Sequence, residues 1–373
     1  MRRFGPLAVA AALLVTAALS SAVPAQPAPA LPFAARPVLG GAPFRSLSGI
    51  VADGAGSLYV ADLGPAGAPA GFARIYKVDI ASRLVSTLNS APPILDPGRL
   101  LIGDGRALTG TDLVVSDHNA EPGAPCCNGS VWRVDRVTGA ATPLIVGNGG
   151  VTAVGDPFGL ALGPGGPFGN GLYVMDFQGS SSEPPVVVRV TAPGSAERLP
   201  IVTPWMWSSD RVPFDIAFGG ARFGGDLFVL DPVTTPPVTA PGVPPTIWRI
   251  GDDGTIRTFL AFPGQIPAAL AFGPGNLFGT NLYVLLENGD LLSVAPDAKV
   301  VKVAANVPVQ GGWATDMAFS PDGQRLYVTA FDTIYEIVPW QAAPDSIPAL
   351  ADVALAALAS LVALLGMRRL HGT

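Results

Sequence analysis

The sequence predicts an all-β fold, a six-bladed β-propeller, on three observations. A five-residue apolar motif recurs six times: "LYVAD" from Leu58, "LVVSD" from Leu113, "LYVMD" from Leu172, "LFVLD" from Leu227, "LYVLL" from Leu282 and "LYVTA" from Leu326. The copies are 55, 59, 55, 55 and 44 residues apart, a period typical of stacked or circular repeats. Glycine (45) and proline (39) exceed a fifth of the 373 residues without a three-residue period, so the 49% of apolar residues fall into short segments cut by turns.

Each unit carries four strand-like segments in a fixed order. A small apolar strand comes first: "SGIVAD", "PFGLALG", "PFDIAFG", "PAALAFG" or "ATDMAFS". A turn follows, such as "GPGGPFGNG" or "GPGNLFGTN", and then the repeated motif. The third segment sets an aromatic or aliphatic residue before a basic one, as in "RIYKVD", "SVWRVD" and "TIWRI". A last strand such as "LVSTL" or "TIRTFL" closes the unit. Four short antiparallel strands with tight turns make one propeller blade. The sixth unit stops after "DTIYEIVPW", without its outer strand. The apolar stretch "ARPVLGG" at 35–41 precedes the first unit and supplies that strand, which closes the ring and removes its exposed edge. The propeller is expected over 35–341.

The ends read as addresses. Arg2 and Arg3, an apolar stretch from Pro6 to Val23 and the small-x-small site Val23-Pro24-Ala25 predict a secretory signal peptide over 1–25, cut by signal peptidase after Ala25. Residues 26–34 are a Pro/Ala linker. The tail, 342–373, is a linker followed by an apolar run from Val353 to Met367 and the pair Arg368-Arg369. Counted from Ile347, the run reaches the ~20 residues of a spanning helix, with its basic end cytoplasmic. The expected location is therefore outside the cytoplasm: envelope, cell surface or secreted, with membrane contact through the C-terminal helix.

The formal charge is −6; with Arg2, Arg3, Arg368, Arg369 and Asp352 set aside, 18 basic and 27 acidic residues leave −9. An acidic body without a basic stripe argues against nucleic acid as a partner. Cations and neutral or cationic ligands remain open, with a protein or carbohydrate of unknown identity as the expected partner.

The aspartates that end four copies of the motif are the main site candidates. Asp62, Asp117, Asp176 and Asp231 end second strands, and Asp215 and Asp316 precede first strands, so all six are expected on one face of the ring. Two readings apply. Each carboxylate caps N–H groups of its own turn, or Asp62, Asp117, Asp176, Asp215 and Asp231 share a hard cation, Ca²⁺ by ligand type. His118, the only histidine outside the tail, lies in the loop "SDHNAEPGAPCCNG" and joins Trp205, Trp207 and Asp316 as a candidate ligand contact. Trp205 and Trp207 flank Met206 in "TPWMWSSD" and also suit packing between blades. The adjacent Cys126 and Cys127 are open to a vicinal disulfide, pairing between chains, or a reduced state. A single histidine outside the tail excludes a multi-histidine zinc site in the body of the chain, and the sequence has neither a P-loop nor a dinucleotide fingerprint.

Two resemblances follow from these segments. Through "LYVAD", "PFDIAF" and "SPDGQRLYV", residues 45–340 resemble NHL and SMP-30/gluconolactonase-like propellers. The latter resemblance implies a cation held by an acidic residue of blade one, Asn side chains at first-strand starts and an Asp after an "LYV" strand. Asp231 or Asp176 matches the last of these. Gly159 and Asp215 fill the Asn positions, and no Glu opens blade one, so the ligand set is incomplete. The tail resembles the IPTL variant of PEP-CTERM sorting signals through Ile347, Pro348 and Leu350, with Ala349 in place of Thr. That resemblance implies recognition by an exosortase-type enzyme. Together these readings predict an exported binding or interaction module, with a Ca²⁺-dependent hydrolase of the gluconolactonase type as the alternative.

Overall fold

The structure, a computed structural model, describes residues 32–65, 73–89, 94–118, 128–147, 154–176, 185–199, 214–232, 244–311 and 314–339. Ala25, Cys126, Cys127, Trp205, Met206, Trp207, Ile347, Pro348 and Leu350 lie outside them.

The described strands form six four-stranded antiparallel sheets. Each sheet is one blade and runs inner, second, third, outer. The inner strands are Leu47–Ala52, Pro97–Ile102, Pro157–Leu162, Asp215–Phe218, Pro267–Phe272 and Asp316–Phe319. They touch one another in sequence, and the last touches the first, so they form a closed circle about one axis. The second strands are Ser57–Asp62, Leu113–Asp117, Leu172–Asp176, Leu227–Asp231, Leu282–Leu286 and Leu326–Ala330. All their residues are buried. A strand covered on both faces reads as a continuous apolar run instead of an alternating one, which accounts for the repeated motif.

The core lies between blades. Each of six apolar clusters fills one seam: Leu58 and Val60 of blade one pack with Tyr327 and Ile334 of blade six, and Tyr173 and Met175 of blade three pack with Ile216 and Trp248 of blade four. Each fully buried Leu, Val or Phe stabilises the fold by ~1.5–3 kcal/mol. The ring closes as expected. Phe33–Gly40 pairs antiparallel with the third strand of blade six, Thr333–Pro339, from Phe33↔Pro339 to Gly40↔Thr333, with a bulge between Pro37 and Leu39. This strand begins two residues before the boundary expected from sequence.

Three turns between inner and second strands tighten into single 3₁₀ turns: Gly166–Phe168, Ala221–Phe223 and Asn276–Phe278. Each ends in a buried phenylalanine. Phe168 meets Tyr173 of its own blade and Phe218 of the next edge to face. Phe223 meets Phe228 and Phe272 in the same way, and Phe278 meets Tyr283 and Phe319. Three successive seams are therefore stapled by the same aromatic trio. The Tyr173 hydroxyl donates to the Phe168 carbonyl, and the Tyr283 hydroxyl donates to the Phe278 carbonyl over 2.6 Å.

Candidate functional site

Pairing register aligns the inner strands. Ile50, Leu100, Leu160, Ile216, Leu270 and Met317 each face the central valine of the repeated motif. The residues just before them are therefore equivalent: Gly49, Arg99, Gly159, Asp215, Ala269 and Asp316. In blades one, two, three and five the register shifts at or beside this position, and a bulge of this kind re-aims a side chain. Three members are small and three are charged. Small size follows from crowding, since a Cβ on Gly49 would lie 2.3 Å from the Gly98 carbonyl oxygen and one on Gly159 2.8 Å from the Ile216 nitrogen.

The charged three meet at the axis and are buried together. An inner strand is the edge of its own sheet, so its outward N–H and C=O groups lack a strand partner. The Asp215 carboxylate accepts from the Ile216 N–H of its own strand and from the Leu270 N–H of blade five, both at 3.0 Å. The Asp316 carboxylate accepts from the Met317 N–H at 2.8 Å and from the Ile50 N–H of blade one at 3.0 Å. The Arg99 guanidinium donates to the Ser48 carbonyl of blade one and the Thr315 carbonyl of blade six, both at 2.9 Å. It lies 3.6 Å from Asp316 and 3.9 Å from Asp215. Burial pushes the Asp215 carboxyl up to about 7 against the opposing pull of Arg99, and the Asp316 charge adds to the rise. Burial also raises Asp316, again against Arg99.

Asp215 and Asp316 open the inner strands of blades four and six, at the end of the blade where the other four close second strands, and from there they bridge blades at the axis. The Asp62 carboxylate accepts the N–H groups of Arg45, Ser46 and Gly64, all at 2.9 Å. Asp117 accepts from Leu95 and Asp96, and Asp176 from Gly155 and Asp156. Apart from Gly64, two residues after Asp62, the donors belong to the loop that leads into the inner strand of the same blade. Asp231 accepts from the Trp248 indole N–H at 3.0 Å, while the loop ahead of its own inner strand, 211–213, lies outside the described residues. Among the described residues no group of three or more His, Cys, Asp or Glu is placed to hold a metal ion.

His118 follows Asp117 and bridges two blades. Its Nδ1 is 3.1 Å from Asp156 of blade three, its ring meets Phe158 edge to face at 4.0 Å, and its backbone N–H donates to the Asp96 carbonyl. Gly98 must lack a side chain here, because a Cβ would lie 2.2 Å from Nε2. Burial opposes protonation of the imidazole, but the Asp156 hydrogen bond and the charges of Asp156, Asp96 and Asp117 outweigh it and raise its pKa.

Arg99 is the site residue that sequence reasoning missed. Blade two reads "PGRLLIG", the one inner strand with a basic residue at the position that holds Asp in "PFDIAFG" and "ATDMAFS", and that aligned charge was the available signal.

A cavity of ≈290 Å³ continues along the axis from these charges. Its wall takes one residue from each blade, Ile50, Leu100, Leu160, Ile216, Leu270 and Met317, with Phe272 and Phe319 further along their strands. Its charged lining is Arg99, Asp215 and Asp316.

No protein-family model matches the sequence, and no curated protein matches it. Solved structures do. A gluconolactonase from Xanthomonas campestris aligns at 15% identity over 82% of this chain and 89% of its own, with a TM-score of 0.57. A glucose dehydrogenase aligns at 13% identity over 83% of this chain and 100% of its own, TM-score 0.55. An auxiliary nutrient binding protein from Bacteroides ovatus aligns at 10% identity over 84% and 78%, TM-score 0.55. At such identities the likeness is one of fold: the chain is a six-bladed β-propeller similar to gluconolactonase-like propellers.

Proposed function

We propose that this protein is an exported propeller of the bacterial cell envelope or surface that acts as a binding or interaction module for a protein or carbohydrate. In this reading signal peptidase cuts after Ala25 and an exosortase-type enzyme acts on the tail at Ile347, Pro348 and Leu350. One observation carries the choice of binding over hydrolysis. The Arg99 guanidinium lies 3.6 Å from Asp316 and 3.9 Å from Asp215 at the axis, where it balances one of the two carboxylates and leaves too little negative charge to hold a divalent metal ion. Asp62, Asp117 and Asp176 are already engaged by backbone N–H groups, so this donor set fits Ca²⁺ poorly.

The hydrolase reading draws support from the fold shared with gluconolactonases. It needs a Ca²⁺-responsive protein. Purified protein is therefore assayed for δ-gluconolactone hydrolysis with millimolar Ca²⁺ and with chelator. The binding-module reading expects no turnover above background and a melting temperature indifferent to Ca²⁺. Ca²⁺-dependent turnover lost in an Asp176→Ala/Asp231→Ala double variant would establish the hydrolase instead. Mass spectrometry of envelope fractions tests the address: a mature N-terminus near Gln26 supports it, and full-length chain in the cytosol removes it.

A further inference from the structure

We infer that the axial cavity is a binding site for a small organic monocation, a primary ammonium carried on an apolar body, held by Asp215 and Asp316 at its charged end. The inference rests on the binding-module reading and names a ligand class for the axis. Charge gives the sign of the ligand. One guanidinium faces two carboxylates, so the buried trio carries a net −1 when both acids are ionised, and a buried charge left uncompensated is costly. The carboxylates keep acceptor capacity. Each of the four oxygens accepts one backbone N–H, from Ile216, Leu270, Met317 or Ile50. An ionised carboxylate offers about four acceptor positions, and an ammonium brings three donors.

The wall gives the body of the ligand. All six blades present an aliphatic side chain at the same height, and Phe272 and Phe319 extend the apolar lining beyond them. The aromatic faces suit an alkyl chain or a cation equally. At ≈290 Å³ the cavity lies at the small end of ligand pockets, a size that suits a six-carbon amine better than an oligosaccharide. A hydrated metal cation fits the charge but leaves the apolar wall without a partner, whereas a neutral hydrocarbon leaves the charge unanswered. Only a ligand with both parts answers both ends of the cavity.

The test is thermal shift at pH 8 with the mature protein and four probes: n-hexylammonium, 1-hexanol, hexanoate and potassium. The expected result is a saturable rise in melting temperature with hexylammonium alone, as follows from selective binding to the folded state. The apparent affinity falls at least tenfold in Asp215→Asn, and falls again as the pH is lowered from 8 to 6 and Asp215 takes up a proton. Ala217→Phe keeps all three charges and fills the cavity, so it abolishes the shift by itself and decides the matter if the asparagine variant fails to fold. An equal response to 1-hexanol or to potassium, a preference for hexanoate, a response that survives Ala217→Phe, or no response to any probe overturns the inference. Lactone turnover is read separately, so failure here is distinguishable from failure of the binding-module reading.

Discussion

Asp62, Asp117 and Asp176 each replace water as the acceptor for loop N–H groups that no strand partner reaches. Asp62 holds three of them, so Asp62→Ala is expected to cost ~0.5–2 kcal/mol in urea unfolding, toward the upper end, with no dependence on Ca²⁺. The buried acids at the axis act in the opposite sense. A carboxyl pushed up to about 7 when folded, from an ordinary value of 3.8, holds its proton more tightly in the folded chain than in the unfolded one. Stability is then greatest below pH 4 as far as this group is concerned, and falls as pH rises toward 7, by on the order of 1–4 kcal/mol. His118, also raised, adds stability that is full below pH 6.5 and lost above it. Melting temperature measured from pH 5 to pH 8 is therefore expected to decline, and Asp215→Asn to flatten the lower part of that decline. The aspartates were legible in the sequence because they recur with the strand they end. Of the hub, Asp215 and Asp316 were legible through the matching segments "DIAF" and "DMAF", but Arg99 was not, because only the register of blade two sets it beside them.

The elements carry the clearest sequence signal. Second strands buried on both faces leave an unbroken apolar run, and six such runs at near-constant spacing declare the repeat before any pairing is known. The Gly-rich turns were legible only as turns. Their phenylalanines sit among glycines that allow the tight 3₁₀ geometry, including Gly224 in the left-handed region, and nothing local says that the ring is aimed at the next blade. Phe223 is 1% exposed and meets Phe228, Phe259 and Phe272. Phe223→Ala is expected to cost ~3–5 kcal/mol, whereas Leu84→Ala, at 67% exposure, should change stability by less than about 0.5 kcal/mol. Denaturant titrations of the two variants side by side check the contrast.

At the scale of the whole molecule, the circle depends on one strand that is first in sequence and last in the ring. Deleting Phe33–Gly40 uncovers the third strand of blade six, including the ion pair that Glu336 makes with Arg36. The expected result is a lower denaturation midpoint and a broader, less cooperative transition, restored in part when a peptide of residues 33–40 is supplied in trans. The sequence allowed this closure to be expected because the sixth unit lacks a strand and an unclaimed apolar segment precedes the first. The bulge at Pro37 and the two-residue earlier start were not visible, since they depend on the partner strand.

That same ladder has a mechanical consequence. Its outermost pair is Phe33↔Pro339, so the chain enters and leaves the ring at a single corner of blade six. A pull on both ends at once would load the ladder at that corner and peel it one pair at a time, the weakest way to stress antiparallel strands. A pull on the C-terminal end alone is shared between that ladder and the one to Leu326–Ala330 on the other side of the same strand. Both proposed cuts, after Ala25 and near Ile347, fall outside the ladder. A propeller freed at its front and held only by its tail would therefore withstand drag at a cell surface that the same ring, anchored at both ends, would relieve by opening.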